Sequence, residues 1–167
     1  MNWLITIVLS LSMMLGFFLV LWSAVGFIQN KKFFSAAPKD IQAVIVDKEE
    51  RFKGQHALGY FMLVISLILL VGSPIYGLVD GVINHFSYWM FFFRFLILFV
   101  GVKLFDMTFF DIYLLCYSNF FPHYFPECKD LVGPRQLGFN FKSQIIKLII
   151  YIAASFGLAA LAILIKL

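Results

Sequence analysis

Residues 87–117 read SYWMFFFRFLILFVGVKLFDMTFFDIYLLCY. The run is long, apolar and aromatic, yet it contains Arg94, Lys103, Asp106 and Asp111. Charge inside a membrane helix is expensive, so each such group needs a partner, a route to water or a task. Outward from this segment, whose own spanning part is about 87 to 112, three further windows have the length and apolarity to cross a bilayer: about 3 to 28, 57 to 79 and 144 to 165. Each supplies the roughly 20 helical residues that a hydrocarbon core of about 30 Å requires. In lipid only helices or closed barrels satisfy the backbone, and these continuous runs lack the alternation of barrel strands. The expected class is all-α: one integral membrane domain over residues 1–167, a bundle of four transmembrane helices.

Composition points the same way. The chain is 62% hydrophobic and 13% charged, against roughly 25% charged for a soluble domain, which excludes an ordinary soluble protein. Met1-Asn2-Trp3 carries no basic side chain and the following apolar run exceeds a signal-peptide core, so a retained first span is expected. Cys116 and Cys128 are too few for a disulfide framework.

Charge sets the expected orientation. Lys31, Lys32, Lys39, Lys48, Arg51 and Lys53 lie between the first two windows, Lys129, Arg135 and Lys142 between the last two, and residues 80 to 86 hold no Lys or Arg. Positive loops stay cytoplasmic, so both termini are placed outside the cell membrane and both long linkers inside. The net charge of +4 then belongs to contact with anionic membrane lipids rather than with nucleic acid.

Neither linker reads as plain loop. Pro38 suits a first helical turn, and Ile41, Val44, Ile45, Lys48 and Phe52 recur on one face, so 38 to 54 is expected to be a short amphipathic interfacial helix. Residues 117 to 134 open with aromatics broken by Pro122 and Pro126, the composition of a re-entrant or interfacial segment. Gly72, Pro74, Gly77 and Gly81 suggest a kink or fraying at the end of the second window. The pairs Ser12/Gly16 and Ala153/Gly157 suit close helix packing within a bundle or between copies.

At 100° per residue Lys103 and Asp106 lie about 60° apart, close enough to pair. The same pitch puts Lys103, Asp106, Phe110, Tyr113 and Tyr117 on one stripe, with Asp111 about 140° from Asp106 and Arg94 opposite Lys103. Arg94 is the charge least able to reach water, so its side chain must climb outward or find a partner such as Asp80. A polar cavity holding a small anionic or amphipathic molecule would draw on Arg94, Lys103, Asp106, Tyr113 and Tyr117. A membrane enzyme acting on a lipid-like substrate would instead use Asp106, Asp111, Tyr113, His123 and Glu127 near the cytoplasmic surface. A Cys116–His123 nucleophilic pair lacks an orienting third group. His123, Glu127 and the two cysteines do not make up a metal-ligand set, so no metal and no cofactor is expected. A small bundle of this kind is expected to work as a homo-oligomer or beside a membrane-protein partner, and an accessory or scaffold subunit needs only its exposed helix faces.

Overall fold

The side chain of Asn2 opens the first helix by accepting a hydrogen bond from the Leu4 amide at 3.0 Å, the usual service of an N-cap to an orphan donor. From there the computed structural model describes residues 2–166. Met1 and Leu167, at the ends of the expected domain, and the Lys166 side chain lie outside the described residues. Among the described residues every regular element is helical.

Helix α1 (Trp3–Trp22) runs on as a π-helical turn, Ser23–Ile28. After a short 3-10 turn, Lys31–Phe34, come α2 (Lys39–Val44) and the 29-residue α3 (Gln55–Ile83). The 18-residue α4 (Tyr88–Phe105) passes directly into 12 π-helical residues, Asp106–Tyr117. The five-residue α5 (Phe120–Tyr124), 3-10 turns at Pro126–Cys128 and Pro134–Gln136, and α6 (Phe141–Lys166) complete the chain. Three helices, Trp3–Ile28, Gln55–Ile83 and Phe141–Ile165, are long and apolar enough to cross a membrane. The stretch expected as a span at 87 to 112 is built differently, since its α-helical part ends at Phe105 and its remainder is wound as a π-helix.

The long helices pack as two pairs, α1 on α3 and α4 on α6, joined through α1 and α4. Gly16 makes the first pair close, because a Cβ there would sit 3.0 Å from Leu69 Cβ and from the Ser66 carbonyl. Nearer the linkers, Gly59 lets α3 touch Phe27 and Ile28, and Ser23 Oγ donates across the contact to the Gly59 carbonyl at 2.7 Å. Leu9, Met13, Leu98 and Val102 fill the α1–α4 seam. Phe92 stacks on Phe156 at 4.1 Å between ring centres, and Ala159 and Ala162 are fully buried in the α4–α6 seam. Of the expected close-packing pairs, Gly16 serves a contact within the bundle, whereas nothing lies within 4 Å of a Cβ built on Gly157.

Two local expectations change, and a third segment gains detail. Helix α2 ends at Val44, well short of 54, and Ile45–Glu50 has no regular helical structure. Beyond Val44 the backbone turns away to pair with another strand of chain: the Lys48 amide donates to the Gln29 carbonyl at 3.1 Å, and Asp47 accepts from the Lys31 amide at 2.7 Å. The segment at 117 to 134 holds no continuous helix, only α5 and the turn at Pro126–Cys128; Pro122 is third in the five-residue α5 and so removes no internal hydrogen bond. Lastly, α3 continues through Pro74 to Ile83 without fraying at the glycines. Gly77 and Gly81 instead clear space, the first for the Arg94 side chain and the second for the Phe91 ring.

The two long linkers fold against each other at one end of the bundle, here the linker end; the α3–α4 connection, the start of α1 and the last turns of α6 mark the turn end. Val25, Phe34, Ile41, Ile45, Leu115, Cys116, Phe125 and Cys128 form one buried cluster. Polar closure accompanies it. Gln55, fully buried, donates to the Phe27 carbonyl at 2.8 Å, and Arg51 Nη2 donates to the Gly26 carbonyl at 2.6 Å, so two carbonyls at the end of the first helix find partners.

Replacing Gly16 by Leu should lower stability in detergent by about 1–3 kcal/mol, the usual effect of overpacking, while Gly157→Leu leaves it near the native value. Thermal unfolding of the two variants side by side checks this.

Candidate functional site

Arg94 is completely buried. Its Nη1 donates to Asp80 Oδ2 at 2.5 Å and to the Gly77 carbonyl at 2.9 Å, and its Nε donates to Thr6 Oγ1 at 3.2 Å. The guanidinium carbon also lies 4.4 Å from the centre of the Phe86 ring. Of the two alternatives for Arg94, pairing with Asp80 is the one present, and through Thr6 the group reaches α1 as well. Asp80 is itself held by Asn84, whose amide donates to Oδ1 at 2.9 Å. This is a structural clasp among α1, α3 and α4 at the turn end. It lies nine residues before Lys103, about 13 Å along a helix axis, and does not share that residue's surroundings.

A second polar group lies toward the linkers. Lys103, almost fully buried, pairs with Asp106 Oδ2 at 2.5 Å, the intrahelical pair that the spacing predicts. Asp106 and Asp111 both border a half-open cavity of about 250 Å³ between α1, the first linker and the π-helical segment. The rest of its wall is apolar and includes Phe17, Leu21, Phe34, Ile41, Phe110 and Leu115. Gln144 of α6 donates its side-chain amide to Asp111 Oδ2.

The π-helical winding explains how both carboxylates reach one cavity. Bonding from i to i+5 turns the chain by only about 80° per residue, which brings positions five apart to within about 40° of each other. The 140° separation expected for an α-helix thus does not apply to Asp106 and Asp111. The same change carries Tyr113 and Tyr117 about 160° away from Asp106, and they stand 53% and 62% exposed. Of the five residues expected to line a cavity, only Asp106 borders this one. Arg94 is in the clasp, Lys103 stands behind Asp106, and the two tyrosines face outward.

The acid–base set expected of an enzyme is likewise distributed. His123 is exposed, with its ring edge-on to Tyr124 at 4.8 Å. Glu127 lies 2.9 Å from Lys48 Nζ in a bridge between the two linkers. Burial pushes its carboxyl up, but hydrogen bonding and charge from Lys48 together with backbone amides outweigh this and hold it below the usual range. Cys116 donates its thiol to the Asp111 carbonyl at 3.2 Å and is not joined to His123. Among the described residues no three His, Cys, Asp or Glu side chains gather closely enough to hold a metal ion. Gln144 escaped the sequence reading; its only signal is a neutral polar residue at the head of the last apolar run. No protein family, characterised protein or solved structure gives a significant match to this chain.

Removing one partner of a buried ion pair costs about 3–5 kcal/mol, so Asp80→Ala should lower detergent stability by roughly 3 kcal/mol. Arg94→Met combined with Asp80→Leu should lose less than Asp80→Ala alone, which a comparison of unfolding midpoints measures. The Cys128 thiol is fully buried, and burial followed by the nearby Glu127 charge pushes its pKa up to about 11. Since the thiolate is the reactive form, maleimide labelling of Cys128 at pH 8 should be at least about 100-fold slower than that of a free thiol, as mass spectrometry of the folded protein over time will read.

Proposed function

We propose that this chain is a cell-membrane protein that binds an amphipathic small molecule. Four helices cross the bilayer, both termini lie outside, and the two linkers form a cytoplasmic cap. The observation that carries this reading is the cavity at the linker end, apolar over most of its wall and carrying two carboxylates. Ligand sites commonly combine an apolar lining with a few placed polar groups. A purely polar solute finds little to bind there, and a purely apolar one leaves the carboxylates unused.

The fourth crossing is the combined α-helical and π-helical run that begins at Tyr88. Its deepest charge is neutralised by Asp80, and Lys103 by Asp106, which lowers the penalty that otherwise argues against burial in lipid. The basic linkers support the cytoplasmic placement of the cap and suit contact with anionic headgroups. Binding is favoured over transport because the turn end is filled by the Arg94 clasp and by Phe86, Phe91, Phe92 and Phe95.

Ala36 lies on the exposed rim of the cavity, so Ala36→Trp should fill the opening without entering the buried cluster. Native mass spectrometry of gently extracted protein is expected to detect a small molecule or lipid on the native chain, to lose it in Ala36→Trp, and to report the number of subunits. An empty native chain, or one held only by another protein, would move the assignment to an accessory subunit.

A further inference from the structure

We propose that the occupant is an amine-bearing amphiphile, with its ammonium at Asp111 and its apolar chain along α1 and the first linker. This rests on the binding reading of the same cavity and adds the chemistry of the head group.

The polar end of the cavity is rich in acceptors. Among the described residues, Asp106 and Asp111 are the only charged side chains in its lining, with no Lys, Arg or His in the wall. Lys103 balances Asp106. Asp111 is met by neutral amides, Gln144 and Asn140, and the Lys103 charge reaches it more weakly than either, so it has no ion-pair partner of its own. Gln144 is 3% exposed, and with its nitrogen engaged by Asp111 its Oε1 is buried without a hydrogen-bond partner. A buried acceptor left unpaired is costly. Exchanging the two ends of the amide would set its oxygen against the carboxylate, so the orientation follows from Asp111 itself.

The cavity wall therefore offers the Asp111 carboxylate as an acceptor, with the Gln144 amide bound to it from outside the lining. A carboxylate or phosphate head group brings more acceptors and like charge. A hydroxyl brings one donor and no charge. An ammonium brings three donors and the missing positive charge, and hydrogen bonds to ionised partners are the stronger kind. The apolar side of the cavity suits a hydrocarbon chain. Because the cavity is open on one side, a chain longer than the pocket continues outward along the bundle.

The test uses the full chain in neutral detergent with an equimolar mixture of dodecylamine, dodecanoic acid and dodecanol, read by native mass spectrometry. Dodecylamine should be retained, one per chain, at least tenfold over the other two, and Asp111→Asn should reduce that retention at least tenfold. Preference for the acid or the alcohol in the native chain overturns the amine assignment and needs no variant to fold. So does amine retention that is unchanged in a folded Asp111→Asn protein. In those cases the cavity reading survives if Ala36→Trp still expels the bound chain. If none of the three is retained, or if Ala36→Trp leaves retention as it was, both the amine assignment and the cavity reading fail.

Discussion

A guanidinium with no exposure to solvent must be paired inside the protein, and the pairing of Arg94 fixes where three helices stand. Its partners come from α1, through Thr6, and from α3, through Gly77 and Asp80. A lateral shift of either helix would break a charge-assisted bond in surroundings of low dielectric, where such bonds are strong and their loss is severe. Glycine at 77 is part of the same constraint, since a Cβ there would lie 3.3 Å from Arg94 Cδ. The apolar seams then follow from the clasp: with α1, α3 and α4 registered, Leu9 and Met13 meet Leu98 and Val102, and the opposite face of α4 is left for α6.

Helix positions were legible in the sequence because apolar length is a strong signal. The three long apolar windows emerge as helices that begin or end within a few residues of expectation. The charge pairs were legible for a related reason. Arg94 and Asp80 flank the only short connection, and Lys103 and Asp106 are three residues apart. Helical pitch was not legible. The segment from Asp106 is apolar and aromatic under either winding, and nothing in its composition announces i to i+5 bonding. An error of about 20° per residue accumulates quickly, and by Tyr113 it has moved a side chain to the other side of the helix. Asp106, expected to line a cavity, and Asp111, expected only in the acid–base set, thus share one cavity wall, while Tyr113 and Tyr117 face outward.

The linkers illustrate a different limit. Periodicity over 38 to 54 is real, but it is satisfied by burial of Ile41 and Ile45 against Phe34, Phe125 and Cys128, not by a long helix lying on a membrane. Tertiary contact outweighs a local pattern here. It does so because residues about 80 positions apart supply the other half of the cluster, as the Lys48–Glu127 bridge also does.

The π-helical segment makes this protein more sensitive to chain length than to side-chain identity at one place. Between Asp106 and Asp111 the cavity is formed by rotation, so exchanging one apolar residue for another leaves both carboxylates where they are. Losing a single residue there would swing everything that follows by most of a quarter turn. Asp111 would leave the cavity and Gln144 together, although no residue that touches either had been changed. Divergent relatives of this chain should accordingly vary freely in the apolar letters of that stretch and hold its length constant.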